Sequence, residues 1–278
     1  MKRKLNKGKL LRTIILAILI FLLLFPLVIM VNSSLQSYDQ IRSWPPTWFE
    51  GDLKWENYKD VTSGNQSIMN PFFNSLQIAL VTMFLCVLVG ILAAYAVTRF
   101  NFKGKKTFLM VVIATQMFSS VILVNPIYVI FRNLGLLDTK ISLIIANTAT
   151  SLPMTIWLLY SYFSQIPKDY EEASWMDGSS RLQGIFKVIM PLALPGIITA
   201  GLFAFISAWG DLVYAKSLVL SPELRTVSQA LTDFQDLYKT TWETQMAASV
   251  ITTIPPFIIF MFIQKYLIKG MVSQGVKG

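Results

Sequence analysis

The sequence predicts an all-α polytopic membrane protein with six transmembrane helices, and three observations lead there. Hydrophobic residues make up 54% of the 278 positions and charged residues only 14%, a composition foreign to ordinary soluble domains. The apolar positions gather in six blocks, roughly 11–31, 72–98, 108–131, 141–163, 192–215 and 245–268, each near the 20 or so residues that a helix needs to cross a hydrocarbon core. Of the 24 Lys and Arg, 16 fall in the two tails and the alternate loops on one side of those blocks, the asymmetry that marks cytoplasmic segments.

The first element is a basic cytoplasmic tail, residues 1–10, with Lys2, Arg3, Lys4, Lys7 and Lys9. The first helix, 11–31, follows Leu10 without a small-residue cleavage pattern, so it reads as a retained span rather than a signal peptide; Pro26 predicts a kink in it. The segment 32–70 is the longest extracellular loop, rich in Trp44, Trp48, Phe49, Trp55 and Tyr58. Such aromatics suit anchoring at the membrane interface.

The transmembrane core, 71–268, begins with a span that holds the single Cys86, a small apolar packing residue with no disulfide partner. It ends in a basic turn with Arg99, Lys103, Lys105 and Lys106. Polar side chains mark faces of the next spans: Gln116 and Ser120 on the third, Asn147 and Ser151 on the fourth, and Gln245, Ser249 and Thr253 on the sixth. They either line a path or tie helix to helix by hydrogen bonds. Gly196, Ala200, Ala204 and Ala208 form a small-residue stripe on the fifth span, open to close approach by a helix of this chain or of another. Asp211, after Trp209, is the one carboxylate inside a predicted span. It is either an interfacial residue or a hydroxyl acceptor beside a stacking Trp209. Pro126, Pro153, Pro195, Pro255 and Pro256 are expected to interrupt helices. A short cytoplasmic tail, 269–278, closes the chain.

Between the fourth and fifth spans lies the most informative stretch, the cytoplasmic loop 164–191. Glu171, Glu172 and Ala173 favour a helix, Gly178 permits its sharp stop, and Ser179 or Ser180 can cap a second helix through Leu182, Ile185, Phe186 and Ile189 that ends before Pro191. This predicts an exposed acidic tip on an apolar base.

The spacing of Glu172, Ala173 and Ser174, then Gly178, then Val188, Ile189, Met190 and Pro191 resembles the EAA loop of ATP-binding-cassette importer permeases. Phe72, Phe73, Asn74, Ser75 and Leu76, together with Arg99, Phe100, Gly104 and the tail Gln274–Gly278, resemble its carbohydrate branch, the MalG-like permeases of maltose-type importers. The resemblance implies a type I importer permease fold with a cytoplasmic coupling helix, in a bacterial plasma membrane. It implies a second, MalF-like permease subunit, a cytoplasmic ATPase dimer holding ATP and Mg, an extracellular solute-binding protein and a sugar or oligosaccharide cargo. Residues expected to meet the ATPase are Glu171, Glu172, Ala173, Ser174, Trp175, Asp177 and Gly178. The substrate path would then draw on Gln116, Ser120, Asn147, Ser151, Trp209, Asp211, Gln245 and Ser249.

Other function classes fare worse. Gly104, Lys105, Lys106 and Thr107 lack the spacing of a phosphate loop, so ATP hydrolysis is expected on another polypeptide and no cofactor on this one. The chain has no histidine, which removes His-based triads and the usual zinc sites. An ion-driven transporter would need a membrane relay of acids, and only Asp211 is available. An importer of a non-sugar solute stays open. The net charge of +9 is concentrated beside the spans, where it serves orientation and anionic lipid rather than nucleic acid.

Overall fold

The computed structural model describes residues 7–64, 67–234 and 241–275, and among these it is helical, with no strand. In chain order come α1 (Lys7–Ser34), α2 (Tyr38–Arg42), α3 (Glu56–Ser63), α4 (Met69–Arg99), α5 (Lys105–Thr115), α6 (Ser120–Asn133), α7 (Lys140–Phe163) and α8 (Asp169–Met176). Then follow α9 (Arg181–Gly184), a π-helical turn (Ile185–Ile189), α10 (Met190–Leu192), α11 (Leu194–Trp209), α12 (Val213–Leu218), α13 (Val227–Asp233) and α14 (Trp242–Gly275). Lys2, Arg3, Lys4 and the last three residues of the terminal signature lie outside the described residues.

Among the described residues, α1, α4, α7 and α14 are each long and apolar enough to cross a membrane unaided. Two bent pairs are long and apolar enough only when each is taken together, and they bring the candidate spans to six: α5 and α6 meet at 99°, and the α9–α10 run meets α11 at 79°. The third span is therefore not the single helix 108–131 that its hydropathy suggests. Its break falls at Gln116–Ser119, where the Ser119 hydroxyl accepts the Val121 amide and starts a new helix. The prolines are not the interruptions expected of them. Pro126, Pro153, Pro255 and Pro256 lie inside continuous helices, as does Pro26; only Pro195 adjoins a break, in the first turn of α11, where a missing N–H costs nothing.

The chain divides into two compact units. One comprises the chain up to Met69 with Leu231–Thr253. In it α1 leaves nearly all its apolar side chains exposed, from Leu11 to Val31, a surface that only lipid or another apolar helix can cover. The following loop is ordered by amides: Asn32 donates to the Thr47 carbonyl (3.2 Å) and accepts from the Phe49 amide (2.8 Å), and Asn57 donates to the Ser34 and Gln36 carbonyls (3.0 and 2.9 Å). Val61, Ile68, Phe234, Ala247 and Ala248 form its core. Trp44 projects outward at 89% exposure, whereas Tyr58 is held by the Ser34 hydroxyl at 2.7 Å. The aromatics of this loop thus divide between surface and packing.

The other unit comprises Asn70–Ala230 with the chain from Ile254. Its spine is α11 laid along α7, with α4 packed against both. The small-residue stripe finds its neighbours within this chain. A Cβ on Gly196 would lie 2.3 Å from Tyr162 Cγ, Ala200 belongs to a buried cluster with Leu159, Phe163 and Ile189, and Ala208 to one with Ala79, Phe205 and Val227. Gly90 likewise admits Leu159 and Thr155 of α7. Where α6 meets α7, Asp138 takes a left-handed backbone (φ 57°) and accepts the amides of Leu220 and Ser221 at 3.0 and 2.9 Å. The Ser221 hydroxyl also donates to it, and these bonds hold its carboxyl below the usual range.

Candidate functional site

The acidic helix-turn-helix is built as its sequence suggests, with one inversion. Helix α8 stops at Gly178, whose φ of +83° is the left-handed conformation that glycine adopts without penalty. The Gly178 amide donates to the Trp175 carbonyl and the Ser179 amide to the Ser174 carbonyl, both at 3.0 Å, closing a Schellman motif. Ser180 then caps α9 in a reciprocal box with Gln183. Gly178 supplies only the turn, because a Cβ there would meet open space. Close approach of the two helices occurs at Gly184, where a Cβ would lie 3.2 Å from Ser174 Oγ and 3.3 Å from Trp175 Nε1.

The inversion concerns the faces. Ile185 and Ile189 turn inward onto Ile91, Tyr95, Phe163 and Ala200, whereas Leu182 and Phe186 are exposed. At i, i+3, i+4 and i+7 these four would share one face of a regular α-helix, but the π-helical turn Ile185–Ile189 shifts that register and leaves Leu182 and Phe186 outside the buried face. The helical run also continues past Pro191 to Leu192 rather than ending before it. Glu172 and Asp177 are exposed beside Met176 (89% exposed), Leu182 and Phe186, and Arg181 stacks over Trp175 at 5.7 Å. The surface offered is acidic and apolar together.

Glu171 does not join that surface. It is 3% exposed, paired with Arg99 through Nε, and accepts the Tyr95 hydroxyl at 3.1 Å. Arg99 also donates through Nη1 to the Ile166 carbonyl at 3.1 Å. The carboxylate thus fastens α8 to the last turn of α4. Ser174, also buried, returns its hydroxyl to the Glu171 carbonyl at 2.8 Å.

Of the path candidates, Gln116 and Ser120 do not share a helix face, since the break between α5 and α6 separates them. The break instead brings both to the wall of one cavity of about 370 Å³, with Thr150, Ser207, Phe118 and Phe203. Gln116 reaches the Thr150 carbonyl at 3.4 Å, and Ser151 donates to Ser207 at 3.1 Å. Thr150 and Ser207 went unnoticed in the sequence because isolated hydroxyls in a span show no pattern. Asn147 donates to the Leu143 carbonyl (3.0 Å) and to Asp211 (3.5 Å).

Trp209 is buried, stacked on Phe205 at 5.8 Å and edge-on to Phe72 at 5.6 Å, which leaves no free face for a ligand. Asp211 lies beyond the end of α11, and its carboxylate accepts the Tyr214 and Ala215 amides, each at 3.2 Å, holding the first turn of α12. Asp211→Ala is therefore expected to destabilise the protein by about 1 kcal/mol, with Asp211→Asn recovering part of the loss; thermal unfolding of the two variants measures it. Gln245 and Ser249 belong to the first unit, where they bond to the Leu231 and Gln245 carbonyls at 3.2 and 2.8 Å.

Among the described residues, four long apolar helices with two bent pairs that bring the candidate spans to six, a cavity with hydroxyl and amide groups on its wall, and an acidic helix-turn-helix fastened to α4 fit a membrane-embedded permease of the type I importer fold. The chain belongs to the family described as binding-protein-dependent transport system inner membrane component, which matches residues 86–273. It is 35% identical over 271 residues, 98% of this chain and 95% of the relative, to the sulfoquinovosyl glycerol transport system permease protein SmoH of Agrobacterium fabrum. It is 34% identical over 258 residues, 92% of each chain, to the trehalose/maltose transport system permease protein MalG of Thermococcus litoralis. Its fold matches a chain of a bacterial ABC transporter involved in the import of the acidic polysaccharide alginate, with a TM-score of 0.79, 23% identity, and coverage of 96% of this chain and 99% of that one.

Proposed function

We propose that this chain imports a sugar or oligosaccharide as one of two permease subunits, paired with a MalF-like partner in a bacterial plasma membrane. Near full-length similarity to permeases named for sulfoquinovosyl glycerol and for trehalose/maltose carries the cargo class. An extracellular solute-binding protein delivers the sugar, and a cytoplasmic ATPase dimer supplies force from ATP and Mg. Both termini and the acidic hinge face the cytoplasm, as the basic loops favour.

In this reading Glu172 and Asp177 pair with basic side chains of an ATPase cleft, while Met176 and Leu182 fill its apolar floor. Ala173, Ser174, Trp175 and Gly178 shape the helix and turn that present them. Motion of the hinge reaches α4 through Glu171 and Arg99, and reaches α11 through Ile189 and Ala200. The cavity beside Gln116, Ser120, Thr150 and Ser207 offers amide and hydroxyl groups with aromatic walls, a chemistry suited to sugar hydroxyls.

Gly178→Asp tests the coupling. Forcing a side chain into the left-handed region costs about 1–2 kcal/mol, and a third acid would crowd the tip. In vesicles holding the complete importer, ATP-driven uptake should fall by at least about tenfold while membrane insertion is unchanged. Normal uptake by that variant, or uptake by wild type lacking its ATPase, would refute the reading.

A further inference from the structure

The hinge leaves a second cavity at the foot of the spans. It encloses about 280 Å³ and is lined by Thr98 and Arg99 of α4, Lys105 of α5, Tyr160 and Ser164 at the end of α7, and Lys168 just before α8. Three cations meet here. Arg99 engages the Glu171 carboxylate through Nε. Nη1 is taken by the Ile166 carbonyl, but Nη2 is buried with no hydrogen-bond partner, on a side chain only 8% exposed. A buried guanidinium donor without a partner is costly. With Lys105 and Lys168 also among the lining residues, the set suits an oxyanion that accepts several charge-assisted bonds at once.

We propose that this cavity binds a phosphate group, supplied by the headgroup of an anionic phospholipid. The cavity has the volume of a headgroup rather than of a protein segment. It lies between the ends of α4 and α7, both long enough to span the bilayer, and basic pockets between spans at the cytoplasmic side are suited to anionic headgroups. The placement has a functional consequence that rests on the coupling reading above. The ligand would sit on Arg99, the residue that ties the hinge to α4, so the lipid would stiffen the joint through which force passes. Binding itself does not depend on the cargo or on ATP.

The test uses the complete importer in nanodiscs of phosphatidylcholine alone or mixed with phosphatidylglycerol, with lipid retention read by native mass spectrometry. Wild type should retain phosphatidylglycerol selectively. Lys105→Gln with Lys168→Gln should weaken that retention about fivefold per lysine removed, with phosphatidylcholine unaffected, and Lys105→Arg with Lys168→Arg should restore it. Millimolar inorganic phosphate separates the two sources: failure to displace the lipid favours the headgroup, and displacement assigns the same site to the free ion. Equal retention by wild type and the glutamine variant in an intact complex overturns the proposal, as does wild type that prefers neither phosphatidylglycerol nor phosphate. Uptake followed in the same discs reconstituted as vesicles reports separately on the transport reading.

Discussion

Arg99→Ala is expected to cripple uptake and to loosen the hinge from the span. Both partners of the Arg99–Glu171 pair are nearly inaccessible, their side chains 8% and 4% exposed, so removing the cation strands a carboxylate away from water. Breaking a buried pair from one side costs about 3–5 kcal/mol. The remaining Tyr95 bond at 3.1 Å cannot neutralise the charge, and the Ile166 carbonyl loses its donor as well. A lower unfolding temperature of the assembled importer should accompany the loss of ATP-driven uptake.

A companion variant separates fastening from simple stability. Arg99→Met combined with Glu171→Leu removes both charges and fills the space with apolar side chains, an exchange that is often neutral or stabilising for buried pairs. The unfolding temperature should recover. If the pair transmits force, uptake should stay well below wild type, and ATPase activity should persist without transport. Full recovery of uptake with the unfolding temperature would mean that the pair serves folding alone.

How much of this was legible follows from what kind of signal each feature leaves. Spans announce themselves because twenty apolar residues in a row have no other use, and the hinge because Gly178 and Ser180 occupy the two positions where turn chemistry is most restrictive. Glu171 misled because an acid next to the acidic Glu172 looks equally exposed, while its partner lies 72 positions upstream at the end of another helix. Arg99 was hidden for a related reason: a basic residue at the cytoplasmic end of a span already has an explanation in membrane orientation. The break at Gln116–Ser119 escaped because hydropathy averages over a four-residue interruption, although Ser119 is a plain capping residue once the bend is seen. Ser207 and Thr150 carried no signal at all until the bend brought Gln116 and Ser120 to the same cavity.

Gly196→Ala should be as damaging as many larger core changes, although it adds one methyl group. That carbon would sit 2.3 Å from Tyr162 Cγ and 2.6 Å from Tyr162 Cβ and Cδ2, far inside van der Waals contact. The ring cannot simply swing away, because its own Cβ is among the clashing atoms and is fixed to the backbone of α7. Relief requires α11 and α7 to separate, and this pair forms the spine of the larger unit. Overpacking of a well-filled interior costs about 1–3 kcal/mol, and here the displaced element also carries Ala200, which rests on the inward face of the hinge. The variant should therefore assemble at reduced yield and melt early. Tyr162→Ala in the same chain removes Cγ and Cδ2 but keeps Cβ, so the double variant should regain part of the stability, giving a non-additive cycle. Additive losses from the two substitutions would show that the helices do not meet at this point.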